Sequence, residues 1–448
     1  MSSEWDWNRL GDHCLKIGSG STPTGGKDAY LEHGPFTLIR SQNVYNDGFK
    51  PSGLAFIGNE QAKRLDGVTV EAGDVLLNIT GDSVARVCLA ISQYLPARVN
   101  QHVAIIRPKP SVFDSRFVRY FLASDYQQDL MLSLAAAGAT RNALTKSMIE
   151  DFKIPCPPIG IQLGIADTLS ALDDRITLLR GTNATLEAIA QTLFKSWFVD
   201  FDPVRAKMEG RAPEGMDEAT AVLFPDGFEE SELGLVPRGW RPSTLARITI
   251  DYVGSLQTGP FGSQLHASDY VESGVPVVMP KDIKDRRVAT DSVARVRPVD
   301  AERLSRHKLV AGDIVFSRRG DVERHALITE REAGWLCGTG CLLLRPGKNW
   351  LSSTFLSMAL DAPQARTWLV QHAVGATMPN INTGILGSVP ILHPPDALLT
   401  AFDEVISVTE AQRSRNSSMA ETLATLRDTL LPRLISGQLR LANAEEFA

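Results

Sequence analysis

The chain has 448 residues, of which 43% are hydrophobic and 22% charged, the balance of a globular protein long enough for two or three domains. No run of about eighteen apolar residues occurs, so no membrane-spanning helix is expected. A net charge of −6 excludes a uniformly basic nucleic-acid binder while leaving room for a local basic face.

Met1-Ser-Ser-Glu-Trp5 lacks the basic-then-apolar pattern of a secretory signal. The five cysteines are scattered, which suits a reducing, cytoplasmic setting. From Trp5 to Pro155 short β-branched runs alternate with turn residues, as in Phe36–Ile39, Asp74–Ile79 and Val103–Ile106, the pattern of a mixed, strand-rich domain. One helix is expected over Ser115 to Leu132. Ile154-Pro-Cys-Pro-Pro158 stops that domain.

Ile165, Leu169, Leu172, Ile176, Leu179, Asn183, Leu186, Ala190, Leu193 and Trp197 follow one another at steps of four and three. That heptad spacing predicts a long helix with one apolar seam facing a partner helix, and Asn183 is the polar member that sets register. About forty residues at ~1.5 Å each reach ~60 Å. The partner is the chain's own C-terminal helix, read over Leu398 to Ile435. Thr185-Leu186 and Thr192-Leu193 return there as Thr422-Leu423 and Thr429-Leu430, both at an offset of 237. Its expected apolar row is Met419, Leu423, Leu426 and Leu430, with a polar middle, Gln412 to Ser418, that is wet or faces another protein. Arg205 to Pro237, rich in Gly, Pro and acidic residues, reads as an extended linker with little regular structure.

From Trp240 the plan of the first domain restarts. Ala72-Gly-Asp74 returns as Ala311-Gly-Asp313, Gly138-Ala-Thr140 as Gly375-Ala-Thr377, and Ile154-Pro155 as Val389-Pro390. Several matches in one order at nearly one offset indicate duplication. Between Lys281 and Arg331 stand 13 Lys and Arg against 9 Asp and Glu, a modest basic excess that by itself describes a solvated face. The expected fold class is therefore α+β: two similar mixed α/β domains, 1–158 and 239–395, separated by two long antiparallel coiled-coil helices, 159–204 and 396–448 with its tail, and a linker at 205–238. Two similar domains at the ends of a rigid spacer suit a ligand with two separated sites of similar kind, such as double-stranded DNA.

Catalytic constellations are not found. Pro155-Cys156 has the form of a cytosine methyltransferase nucleophile, but no Gly-rich cofactor loop accompanies it. Gly20-Ser-Thr-Pro-Thr-Gly-Gly-Lys27 misses the phosphate-loop spacing, and Asp28 stands where Ser or Thr would hold magnesium. The eight His residues lack metal-ligand spacing. A structural cysteine, a Gly-rich turn and a binding protein rather than an enzyme are the expectations.

Thr192-Leu-Phe-Lys-Ser-Trp-Phe-Val-Asp-Phe-Asp-Pro203 resembles the central conserved region of type I restriction–modification specificity subunits. Gly259-Pro-Phe-Gly-Ser-Gln-Leu265 resembles the opening of their target recognition domains, with Gly20-Ser-Thr-Pro23 in the equivalent place of the first domain. Leu430-Leu-Pro-Arg-Leu-Ile-Ser-Gly-Gln-Leu439 resembles the end of their C-terminal conserved helix. The resemblance covers nearly the whole chain. It implies that each target recognition domain reads one half of a bipartite DNA sequence, and that the helices set the gap and dock two methyltransferase subunits. S-adenosylmethionine, ATP and Mg would belong to partner subunits, the last two to a restriction and motor subunit, with no cofactor in this chain and no membrane.

Base reading needs side chains able to make paired contacts, Arg to guanine and Asn or Gln to adenine. Arg40, Gln42 and Asn43 follow a strand-like run, and Lys281 holds the equivalent place in the second domain. Thr80 and the pair Arg318-Arg319 follow the two repeated Gly-Asp strands. Arg141 and Asn142 lie in a third loop matched by Gly375-Ala-Thr377. Each of these could equally be a solvated polar loop residue. Trp197 is assigned to the helix-pair core. Two alternative readings are an adaptor that holds two partner proteins apart without reading DNA, and a stand-alone methyltransferase, which the missing cofactor loop disfavours.

Overall fold

The computed structural model describes residues 4–23, 25–137, 142–290, 293–375 and 377–441. It divides into two compact units, Met1–Thr182 with Arg415–Ala448, and Asn183–Ser414. The long helices Ile159–Phe198 and Asp396–Ser436 each contribute one part to either unit.

In the first unit an antiparallel sheet has the order Cys14–Ser19, Val103–Pro108, Val75–Asn78, Val87–Leu89. A second sheet runs Ala55–Ile57, Phe36–Ile39, Ala97–Val99, Thr69–Val70, with Phe36–Ile39 and Ala97–Val99 parallel. Successive strand residues point to opposite faces. Val75, Leu77, Ala104 and Ile106 therefore pack on one side with Phe117, Phe121 and the helices, while Leu76 and Ile105 pack on the other side against the second sheet. Burial on both faces explains why these strands read as unbroken apolar runs rather than alternating ones.

The second unit repeats this order with Ser255–Thr258, Cys341–Arg345, Ile314–Ser317 and His325–Leu327. Its parallel pair is Val275–Val278 with Leu336–Cys337. Ile314, Phe316, Leu342 and Leu344 face the helices, and Val315 and Leu343 face the other sheet.

The repeated Ala-Gly-Asp motif has a structural cause. Gly73 and Gly312 take positive φ, +81° and +90°, a region that suits glycine. The next residue, Asp74 or Asp313, is buried and gripped by a bidentate arginine. Arg107 Nε and Nη2 reach the Asp74 carboxylate at 2.7 and 2.8 Å, and Arg345 reaches Asp313 at 2.8 and 2.6 Å. Such forks are among the stronger charge-assisted pairs.

Three expectations are corrected. The single helix expected over 115–132 is two helices, Ser115–Ala123 and Asp125–Ala136, because Ser124 is extended (φ −68°, ψ 146°) and its Oγ donates to the Phe121 carbonyl. The linker is ordered: helices Asp202–Met208 and Glu218–Val222 precede a hairpin of Phe228–Ser231 with Gly234–Pro237. Lys207 Nζ donates to the Ala221 and Phe224 carbonyls at 3.1 and 2.5 Å, and Phe224 enters the core. Its glycines and acids mark tight turns and caps, not extended chain.

The third correction concerns the C-terminal helix. All ten seam residues of the central helix, from Ile165 to Trp197, are buried or half-buried. On the C-terminal helix, however, Met419 and Leu426 are 51% and 44% exposed. The seam runs through Phe402, Ile406, Thr409, Arg413, Asn416, Ala420, Leu423, Arg427, Leu430 and Leu434, every one buried or half-buried. In the first unit Ile165 and Leu169 meet Leu431 and Leu434, and Ile176 and Leu179 meet Ala420. In the second, Asn183 Nδ2 donates to the Arg413 carbonyl at 3.0 Å, and Trp197 and Phe198 meet Phe402. Both pairings are antiparallel. The polar middle is dry at Arg413 and Asn416, which are 9% and 6% exposed.

Each unit ties its domain to the helix pair through one carboxylate of the central helix. Asp173 takes Arg427 of the C-terminal helix at 2.6 Å, and Arg119 and Tyr120 of the domain at 3.1 and 2.7 Å. Glu187 is held between Arg413 of the C-terminal helix and Arg286 of the domain. Burial opposes the Asp173 charge, but Arg427, Arg119 and the Tyr120 hydroxyl outweigh it and hold the carboxyl below its ordinary value. The folded state therefore binds fewer protons here than the unfolded one. The resulting stability is present above the ordinary carboxylate value of 3.8 and is lost as the pH falls below it. Asp173→Asn should cost about 3 kcal/mol at pH 7, because buried Arg119 loses its charge partner and half-buried Arg427 is left with Asp428 alone. Denaturant titrations should show that penalty shrinking as the pH is lowered beneath 3.8; a penalty independent of pH would contradict it.

Candidate nucleic-acid interface

Three loops of the first unit meet at one end of its sheets. The strand Phe36–Ile39 leads into the short turn Ser41–Asn43. Asn43 is fully buried. Its Oδ1 accepts from the Arg40 N–H at 3.1 Å, and its Nδ2 donates to the Lys50 and Ser52 carbonyls at 2.9 and 3.2 Å. Asn43 thus builds the turn, and Gln42 is exposed upon it, with its Nε2 donating to the Gly53 carbonyl at 2.9 Å. Arg40 is half-buried; its Nη2 donates to the Gly53 carbonyl at 2.6 Å and its guanidinium lies 5.2 Å from the Tyr30 ring.

The strand Val75–Asn78 continues into Thr80 and Gly81. There the Gly81 N–H donates to the Asn142 carbonyl at 3.2 Å and Leu144 N–H to the Ile79 carbonyl at 2.8 Å. Those bonds join the second and third loops. The result is a polar basin of about 730 Å³ lined by Gln42, Thr80 and Asn142 together with Ser41, Tyr45, Arg86 and His102. Arg86 stacks 4.5 Å from the Tyr45 ring, and the Thr80 hydroxyl bonds His102 Nδ1. Arg141 lies outside the described residues.

Sequence reasoning missed Tyr45, Arg86 and His102. Arg86 stands just before the return strand Val87–Leu89 that follows the Thr80 loop. His102 belongs to a turn whose backbone feeds the first strand, since Ile79 N–H donates to its carbonyl at 3.0 Å; nothing local in the sequence marks this.

The second unit builds the same frame with different side chains. Asp282 is the buried counterpart of Asn43 and accepts from the Met279 N–H at 3.0 Å, so Lys281 is presented where Gln42 stands. Burial pushes the Asp282 carboxyl up, against the Met279 bond and neighbouring lysines. Gly320 N–H donates to the Pro379 carbonyl and Ile381 N–H to the Arg318 carbonyl, at 2.9 and 3.0 Å, repeating the bonds of Gly81 and Leu144. Arg319 is exposed at the place of Thr80, and Arg318 is half-buried.

The decoys resolve as scaffold. A Cβ on Gly20 would stand 1.7 Å from the Val99 carbonyl oxygen, and one on Gly259 would stand 2.1 Å from that of Gly338. Both glycines allow the opening strand to touch a neighbouring backbone. Burial raises the Cys156 thiol, which keeps it protonated. Among the described residues no three His, Cys, Asp or Glu gather as a metal site, and no helix is long and apolar enough to cross a membrane.

A duplicated α/β scaffold with paired loops and long helices defines a class that the comparisons make specific. Residues 2–188 match the Type I restriction modification DNA specificity domain. The HindI specificity subunit of Haemophilus influenzae is 26% identical over 440 residues, covering 90% of this chain and 94% of that relative. The MjaIX specificity subunit of Methanocaldococcus jannaschii is 22% identical, covering 98% and 95%. The crystal structure of the type I restriction–modification S subunit from M. genitalium superposes with a TM-score of 0.58 at 17% identity, covering 96% of each chain, a likeness of fold. The chain is thus similar along nearly its whole length to type I restriction enzyme specificity subunits, and residues 2–188 carry the match to their DNA specificity domain.

Neighbouring residues of one turn should separate cleanly. Asn43→Ala strands an N–H and two carbonyls, so a loss of about 2 kcal/mol is expected. Gln42→Ala, at an exposed site, should stay within ~0.5 kcal/mol of the parent. Thermal denaturation of both variants measures the difference.

Proposed function

We propose that this chain is the non-catalytic DNA-reading subunit of a type I restriction–modification complex. Each unit reads one half of a bipartite duplex target. The two long helices set the gap between the halves and dock two methyltransferase subunits. S-adenosylmethionine belongs to those subunits, and ATP and Mg²⁺ to a motor–nuclease subunit, all in the cytoplasm.

The observation that carries this reading is one scaffold built twice, presenting different polar groups from equivalent turns. A pair of identical adaptors has no need to vary the presented side chains while keeping the buried frame. A reader of two unlike half-sites does. The chemistry also differs between halves: Gln42 and Asn142 offer carboxamides, suited to adenine N6 and N7, whereas Lys281, Arg318 and Arg319 offer cations suited to guanine O6 and N7.

The test is single-molecule methylation sequencing of DNA from cells carrying the methyltransferase with or without this chain. A gapped two-part adenine motif should vanish when the chain is absent. An unchanged pattern with active methyltransferase would leave the adaptor reading in its place. Arg319→Ala should relax one position in one half-site and leave the other half-site intact, at a cost of ~1–3 kcal/mol in discrimination. Affinity of the complex should fall steeply with salt, as phosphate contacts require.

A further inference from the structure

In each unit the helix after the extended break and the strand that closes the domain form two walls of a groove. In the second unit these walls carry Gln364, Ala365 and Trp368, with Pro390 and Ile391. In the first they carry Tyr126, Gln127 and Leu130, with Phe152 and Lys153. The correspondence follows the repeat, since Ser124 and Ala362 take the same extended conformation before their helices (ψ 146° and 144°).

The second groove, about 360 Å³, has a further wall of Leu233, Leu235 and Val236. They come from the hairpin Phe228–Ser231 with Gly234–Pro237 and the turn between its strands, in the segment that joins the two repeats. The first groove, about 440 Å³, is lined by no counterpart of that hairpin among the described residues. It leaves Tyr126 and Leu130 44% and 39% exposed. Its floor holds an anomaly. Gln127 is 1% exposed, yet neither its Nε2 nor its Oε1 has a hydrogen-bond partner among the described residues. The second unit has Ala365, 6% exposed, at that position.

A buried carboxamide with both ends unpaired is costly. One donor beside one acceptor is also the complement of a peptide group. We infer that the first groove docks an aliphatic turn from a methyltransferase subunit, which supplies the wall that the chain's own hairpin supplies in the second unit and pairs one of its peptide groups with Gln127. Only the identity of the partner rests on the specificity-subunit reading. The consequence is asymmetric: one repeat of the duplicated chain builds this wall of its groove in cis and the other acquires it in trans.

The test uses the complex of the full chain with its methyltransferase subunit. A photoreactive benzoylphenylalanine in place of Leu130 should cross-link to an aliphatic loop of that subunit. Gln127→Leu should raise the melting temperature of the free chain, because an unpaired amide is removed, and yet weaken binding of the subunit about tenfold. A merely structural role for Gln127 would not move these two in opposite senses. Cross-links confined to this chain, or unaltered affinity in Gln127→Leu, would overturn the proposal. If the parent complex still directs methylation to a gapped motif in that case, the groove assignment alone fails. If the parent directs none, the specificity reading is what fails.

Discussion

Everything this protein presents to a ligand depends on two carboxylates of the central helix. Asp173 and Glu187 each sit between an arginine of the C-terminal helix and an arginine of a domain. None of these charges could stay buried alone, since desolvation costs several kcal/mol per ion unless the partners are in place. Each carboxylate therefore couples two events within its unit: closure of the helix pair and seating of the domain upon it. The loops inherit a defined position from that coupling.

The two units reach this result with different parts. In the first, the seating arginine is Arg119 on a helix, while Asp47, at the tip of the hairpin Val44–Tyr45 with Gly48–Phe49, pairs with Arg180. In the second, the hairpin Ile283–Lys284 with Arg287–Val288 supplies Arg286 to Glu187, and Arg287 to Glu410. The duplication has kept the geometry of the join and altered who carries the charge.

A similar division holds within the domains. The Asp74–Arg107 and Asp313–Arg345 forks, the buried Asn43 and Asp282, and the glycines at 20 and 259 recur because the backbone path demands them. Gln42 against Lys281, and Thr80 against Arg319, differ because they lie at loop positions that the buried frame does not fix, even though Gln42 and Thr80 keep local bonds to the Gly53 carbonyl and His102. A recognition protein built this way can change what it reads without changing how it folds. The same logic extends to the groove of the first unit, where Gln127 stands in place of Ala365 on a repeated wall.

Much was legible in the sequence. The heptad of the central helix, the antiparallel partner, the duplication and the three loop pairs all rest on periodicity or on motif order, which are local properties of the chain. Gln42, Thr80 and Asn142, which line one basin, could be picked out because loops follow repeated strands. What the sequence could not decide depends on neighbours distant along the chain. The true seam of the C-terminal helix passes through Arg413 and Arg427, which hydropathy marks as surface; Glu187 and Asp173, more than two hundred residues earlier, are the partners that make those positions interior. Asn43 looks like a base reader until its amide is seen holding the carbonyls of Lys50 and Ser52. Sequence determined which elements form and that they form twice. Tertiary structure decided which polar groups are spent inside the fold and which remain for a partner, because burial and pairing are properties of the packed chain and not of any one stretch of it.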